Sequence, residues 1–127
     1  MSIFKSIFKA ASNNSVNKEI NIYWIPLISL DQIEKLKEIS KKDKVLIFKH
    51  STRCYTSNIV LRQFEKSFYE EVKNLKTYYL DVLNYRQLSD EVSFTFQVLH
   101  ESPQLLVIKK GVVVKHASHY NILELKY

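Results

Sequence analysis

The chain carries a single cysteine, Cys54, followed by Tyr55-Thr56-Ser57. Where a redox dithiol of the C-x-x-C type would hold its second sulfur, this sequence has the hydroxyl of Ser57. One thiolate can still attack a disulfide and form a mixed disulfide. It cannot close an internal bridge to release the bound partner, so a second thiol must come from solution or from another molecule. Cys54 follows the apolar run Val45-Leu46-Ile47-Phe48 and the polar stretch Lys49-His50-Ser51-Thr52-Arg53, and it opens a helical pattern. A thiol at a helix start meets unpaired backbone N–H groups and the positive end of the helix dipole. Arg53, with His50 and Lys49, adds positive charge nearby. All of these favour the thiolate. The alternative is a structural cysteine behaving as a small buried hydrophobe. Ser57 likewise has two readings: a hydrogen-bond donor to the thiolate, or a hydroxyl that satisfies the first helical turn.

The second chemically suggestive stretch is His100-Glu101-Ser102-Pro103-Gln104. Pro103 stands just before a strand pattern, where a cis X–Pro bond would make a tight turn. An ordinary trans proline at a strand start is the alternative. With a cis turn beside the cysteine loop, Ser102 would offer its backbone to an extended client segment. His50, His100, His116 and His119 lack the helical spacing of a zinc enzyme, so no metal site is expected. A Cys54–His100 hydrolase would need an oxyanion hole and an orienting third residue, and neither is evident. His100 and His119 are instead expected to hydrogen-bond loops near the cysteine.

Composition narrows the chemistry further. The 127 residues suit one domain, and they include one Gly where average usage of about 7% would give roughly nine. Glycine-built phosphate cradles and the G-x-S-x-G nucleophile elbow are therefore excluded. One Cys excludes an internal disulfide and a Cys-rich zinc site. The net charge is +6, and Lys5, Lys9 and Lys18 supply half of it with no acid before Glu19. The remaining interspersed charge gives no nucleic-acid footprint. No apolar run is long enough to span a membrane, and the first residues do not read as a signal peptide. Cytoplasm is the expected compartment, with no nucleic-acid or membrane partner.

These residues need elements to hold them. Residues 1–18 read as an extension and linker, with Ile3, Phe4, Ile7 and Phe8 on one face of a short helix. Residues 19–127 read as the domain. A strand is expected over residues 20–27, then a helix capped by Ser29 and Gln32 with Leu30, Ile33, Leu36 and Ile39 as its stripe. Val45 to Phe48 has the unbroken apolar character of a strand buried on both faces. A helix from Cys54 carries Leu61, Phe64, Phe68, Val72 and Leu75. A strand over residues 77–83 and a shorter helix over 85–96 follow, although Phe94, Phe96 and Val98 also alternate as an extended segment would. Strands at 105–108 and 112–114 meet across Lys109-Lys110-Gly111 as an antiparallel hairpin. Ser118 caps a last helix through Ile122 and Leu125. The order β-α-β-α-β-α-β-β-α gives an α/β fold with a mixed sheet and helices on both faces.

The stretches around Cys54 and Pro103, together with His116-Ala117-Ser118-His119 and Tyr78-Tyr79-Leu80-Asp81, resemble the YtxJ family. These are the monothiol bacilliredoxins of the bacillithiol system, with a thioredoxin-like fold. The resemblance runs from about Trp24 to the C-terminus. It implies a cytosolic thiol–disulfide oxidoreductase that removes bacillithiol from protein mixed disulfides. Bacillithiol would be a thiol co-substrate rather than a bound cofactor, and S-bacillithiolated clients the partners. By resemblance Cys54 is the nucleophile, Ser57 the residue in the resolving position and Pro103 the cis proline. Arg53, His50, Tyr55 and Thr56 around the cysteine, and Ser102, Glu101 and His100 on the proline loop, are expected to contact substrate. Tyr55 and Thr56 depart from the Pro and Ile common after the cysteine in such proteins. A rim of Lys49, His50 and Arg53 would complement the carboxylates of the bacillithiol malate group. Two other readings stay open: a non-catalytic module gripping an extended peptide, and a reductase that uses glutathione, coenzyme A or a protein thiol.

Overall fold

The computed structural model describes residues 21–127. The extension and linker expected over residues 1–18 lie outside the described residues, as does Ile20 at the expected start of the first strand. Five strands form one mixed sheet in the order β1-β3-β2-β4-β5. They are β1 (Trp24–Pro26), β2 (Val45–His50), β3 (Lys76–Asp81), β4 (Gln104–Lys109) and β5 (Val112–Ser118). β3 runs parallel to both β1 and β2, whereas β4 is antiparallel to β2 and to β5. The helices are α1 (Leu30–Ile39), α2 (Tyr55–Ser67), α3 (Tyr69–Val72) and α4 (Arg86–Phe96), and a 3-10 helix spans His119–Glu124.

β2 is the organising strand, with paired neighbours on both sides and every residue buried. Its side chains alternate between two cores, as the period of two requires. Val45 and Ile47 pack with Ile33 and Leu36 of α1 and with Leu88, Val92 and Phe96 of α4. Leu46 and Phe48 pack with Val60 and Phe64 of α2, Val72 of α3 and Ile122 of the 3-10 helix. The expected mixed α/β layering is thus the observed one, and residues 86–96 are helical rather than extended.

Several boundaries differ from the sequence reading, each for a local reason. The first strand is short because pairing with β3 is confined to Trp24, Ile25 and Pro26. Proline has no N–H to donate and suits such an edge. Gln32 does close the start of α1, its Oε1 accepting from the Ser29 N–H at 3.0 Å and the Ile28 N–H at 2.7 Å. The buried stripe is narrower than expected, since Leu30 stays exposed. The long second helix breaks at Phe68 (φ −117°, ψ 11°), whose N–H still bonds the Phe64 carbonyl. The turn lets the Phe68 ring stack on Phe64 and meet Tyr127, with centroids 5.3 and 5.1 Å apart. β5 runs on to Ser118, and the last helix is 3-10, without a side-chain cap from Ser118. His119 opens it at φ 56°. The hairpin turn uses Lys110 and Gly111, both at positive φ (54° and 79°), as the right-handed twist of a two-residue turn demands.

Candidate active site

Cys54 sits where β2 has ended and α2 begins. It is the N-cap of α2, in extended conformation, and it is partly exposed. Its own N–H bonds the Ser51 carbonyl at 3.1 Å, which closes a tight loop over residues 51–54. Asn58 fastens that loop from within the helix: Nδ2 donates to the carbonyls of Thr52 and Cys54, each at 3.1 Å. No acidic residue stands in the first turn of α2 to offset the positive helix end beside the sulfur. Tyr55 is 78% exposed and Arg53 is also exposed, while Thr56 is half-buried.

Ser57 lies one helical turn beyond Cys54 and is fully buried. Its Oγ accepts the Ser51 N–H at 3.1 Å and lies 2.7 Å from His50 Nδ1. A hydroxyl has one proton and two lone pairs, so it serves both partners whichever tautomer His50 adopts. Neither sequence reading of Ser57 anticipated this: the hydroxyl ties the strand end to the loop before the helix. Burial lowers the His50 pKa, with Asp81 and Asn58 opposing, so the ring is neutral at pH 7. It packs against Tyr79 at 5.6 Å between centroids.

The expected basic rim is corrected here. Lys49 is 0% exposed and His50 2%, which leaves Arg53 as the one exposed cation of the three. The reason is that β2 does not stop at Phe48. Lys49 pairs with Leu80 and Gln104, and His50 pairs with Asp81, so both side chains enter packed layers rather than a loop. His50 is therefore buried beneath the loop and not placed on the outer surface beside a substrate.

The second loop, residues 99–103, enters β4 at the sheet end from which the cysteine loop leaves β2, because Lys49 and Gln104 are register partners. The Ser102–Pro103 peptide is cis. Gln104 is buried and pins the loop, donating from Nε2 to the Leu99 carbonyl at 2.9 Å and accepting the Glu101 N–H at 3.4 Å. The Pro103 carbonyl accepts the His119 N–H at 3.0 Å, so His119 does bond this loop, through its backbone. Ser102 Oγ is buried with no hydrogen-bond partner among the described residues, and Glu101 is exposed. His100 does not turn to Cys54. Its Nδ1 lies 3.1 Å from Lys49 Nζ and 3.3 Å from Ser89 Oγ. Burial, Lys49 and Arg86 lower its pKa, with Asp90 and Glu101 opposing.

Asn58 escaped the sequence reading, although it stands four residues after Cys54, within reach of its carbonyl on a helix; Gln104 was read only as the end of the proline stretch, without its role in pinning the loop. Among the described residues no group of three or more His, Cys, Asp or Glu side chains could hold a metal ion. No helix among them is long and apolar enough to cross a membrane. A cleft of about 680 Å³ lies between Ile28, Leu30, Leu83 and Arg86, and no residue of the cysteine loop lines it.

A family model described as monothiol bacilliredoxin BrxC matches residues 25–126. A solved structure of a provisionally assigned oxidoreductase with a thioredoxin fold is 35% identical, over 83% of this chain and 88% of its own, with a TM-score of 0.68. Thioredoxin of Trypanosoma brucei brucei is 18% identical, over 78% of this chain and 80% of its own, with a TM-score of 0.62. Thioredoxin f of spinach chloroplast is 17% identical, over 83% of this chain and 90% of its own, with a TM-score of 0.62. The two thioredoxins share the fold, which is thioredoxin-like.

Proposed function

This chain belongs to the monothiol bacilliredoxin family, and from that premise we propose that it removes bacillithiol from protein mixed disulfides through Cys54. Family and fold carry the coarser statement, a thiol redox role. The observation supporting the finer one is the lone, partly exposed sulfur at the N-cap of α2, with a buried and fully engaged serine hydroxyl where a second sulfur would stand.

The Cys54 thiolate attacks the bacillithiol sulfur of the mixed disulfide. A new S–S bond forms between Cys54 and bacillithiol as the client sulfur leaves as a thiolate and takes a proton from water. The thiolate of a second bacillithiol then attacks the same bacillithiol sulfur. Cys54 departs as a thiolate, and bacillithiol disulfide is the product. The client sulfur is reduced, the second bacillithiol is oxidised, and Cys54 returns unchanged. Arg53 is the exposed cation available to the bacillithiol carboxylates. Tyr55 and Thr56 flank the sulfur. The backbone of Ser102, beside Pro103, receives an extended client segment, and S-bacillithiolated cytoplasmic proteins are the clients.

The test offers one client protein as its bacillithiol and its glutathione mixed disulfide, to the wild type and to Cys54→Ser. The proposal expects release of client thiol from the bacillithiol adduct, no release by Cys54→Ser, and a preference for the bacillithiol over the glutathione adduct of about tenfold or more. Equal rates on both adducts would reject the bacillithiol assignment. Release by Cys54→Ser would reject Cys54 itself.

A further inference from the structure

We propose that Lys49 is a positioning residue for the Cys54 site: its ammonium, held by Ser89, Ser93 and His100, locks the loop of residues 99–103 to β2 and α4. The geometry is complete at the nitrogen. Lys49 Nζ lies 3.1 Å from the Ser89 carbonyl, 2.8 Å from Ser93 Oγ and 3.1 Å from His100 Nδ1. An ammonium has three protons and no lone pair, so these three acceptors use all of them. His100 Nδ1 must then be an unprotonated acceptor, which fixes the ring as its neutral Nε2–H tautomer. Burial first, and Lys49 with it, thus favours the neutral form of a histidine at the head of the cis-proline loop.

Other ties on that loop come from α4, β4 and the last helix: Ser89 Oγ lies 3.3 Å from His100 Nδ1, Gln104 holds Leu99 and Glu101, and the His119 N–H holds Pro103. The tie through Lys49 comes from β2, the strand that delivers the cysteine loop, so it relates the two loops directly. A fully buried lysine is a costly space filler, because desolvating the charge opposes folding, and an apolar side chain would fill the layer at less expense. Burial lowers the Lys49 pKa to about 8, with Asp90 of α4 favouring the charged form. His100 reaches the cluster from the loop, and Glu101 beside it and Arg86 of α4 act on His100 in opposite senses. Above about pH 8 the neutral amine retains two protons for three acceptors, so the lock loses one bond.

Only the kinetic arm of the test rests on the reading of Cys54 as the nucleophile. In nitrogen-15 correlation spectra of the full chain, the wild type should show His100 at pH 7 with a bare Nδ1, and the ring signal should shift as Lys49 titrates near pH 8. In single-turnover reduction of a client–bacillithiol mixed disulfide, Lys49→Met should raise the half-saturating substrate concentration about tenfold. The limiting rate and Cys54 alkylation by iodoacetamide should change less than about twofold. The wild-type half-saturation should rise from about pH 7.5 to 9, and that of Lys49→Met should stay flat. Ser93→Ala, which removes one acceptor and keeps the charge, should give a smaller shift in the same direction and serves if Lys49→Met does not fold. A protonated His100 Nδ1, or an unchanged half-saturation in the variant that folds, would overturn the proposal. Failure of the wild type to turn over the bacillithiol adduct would instead reject the reading of Cys54, leaving the spectra to decide the role of Lys49.

Discussion

Lys49 and His50 are consecutive on β2 and both buried, yet they serve opposite faces of the sheet. On the α2 face, His50 is neutral and shares one short hydrogen bond with Ser57, inside an aromatic wall of Phe48 and Tyr79. On the α4 face, Lys49 carries a charge that needs three acceptors. Desolvation depresses both pKa values, with different consequences. A histidine already neutral loses nothing as pH rises. A lysine at about 8 loses a proton and one of its bonds. The floor of the cysteine loop is thus indifferent to alkaline pH, and the anchor of the proline loop is not.

The largest effect should come from removing the sulfur near which both faces converge. Cys54→Ser should lower mixed-disulfide reduction at least about a thousandfold without a change in melting, followed by client thiol release and thermal denaturation together. If activity survived, neither face would be serving a nucleophile. Next in size, Ser57→Ala strands the Ser51 N–H and His50 Nδ1 on the α2 face. It should destabilise by about 1–3 kcal/mol in denaturant titration. A neutral result would show that the His50–Ser57 pair is not holding the loop.

The two faces should also separate along the pH axis. Lys49 titrates at about 8 folded against an ordinary 10.5, so between those values the unfolded chain binds a proton that the folded chain does not. Wild-type stability should therefore rise relative to Lys49→Met from about pH 8 to 10.5. His50 and His100 are held below their ordinary 6.5, so stability should fall as pH drops below about 6.5 and the unfolded chain takes up protons first. Urea titrations from pH 5 to 10 would check both slopes, and a flat alkaline limb would contradict the buried ammonium. Smallest of all, Gly111→Ala lies outside both faces, with open space around the added Cβ but φ at +79°. It should cost about 1 kcal/mol for the left-handed backbone and leave disulfide exchange unchanged.

Sequence pattern located Cys54 at a helix start, the α4 helix and the hairpin, because each rests on local signals: a helical period for the two helices and a turn glycine for the hairpin. It misplaced Lys49 and His50, since two polar residues after an apolar run read as loop. Pairing with β3 and β4 carries the strand through them, and no local propensity reports such pairing. The break at Phe68 and the 3-10 end were hidden for the same reason, being set by ring packing and by the meeting of remote segments. The partly exposed thiol at a helix start was legible in the sequence. Its supports, Asn58, Gln104 and Lys49, became visible only through their bonds to residues brought close by the fold.

Intact-mass spectrometry after mixing the reduced wild type with a stoichiometric S-bacillithiolated client, without added bacillithiol, tests the central claim most directly. The client should lose one bacillithiol mass, and this chain should gain it on the peptide containing Cys54. A client that keeps its modification, or an adduct between the client itself and Cys54 as the end product, would contradict it.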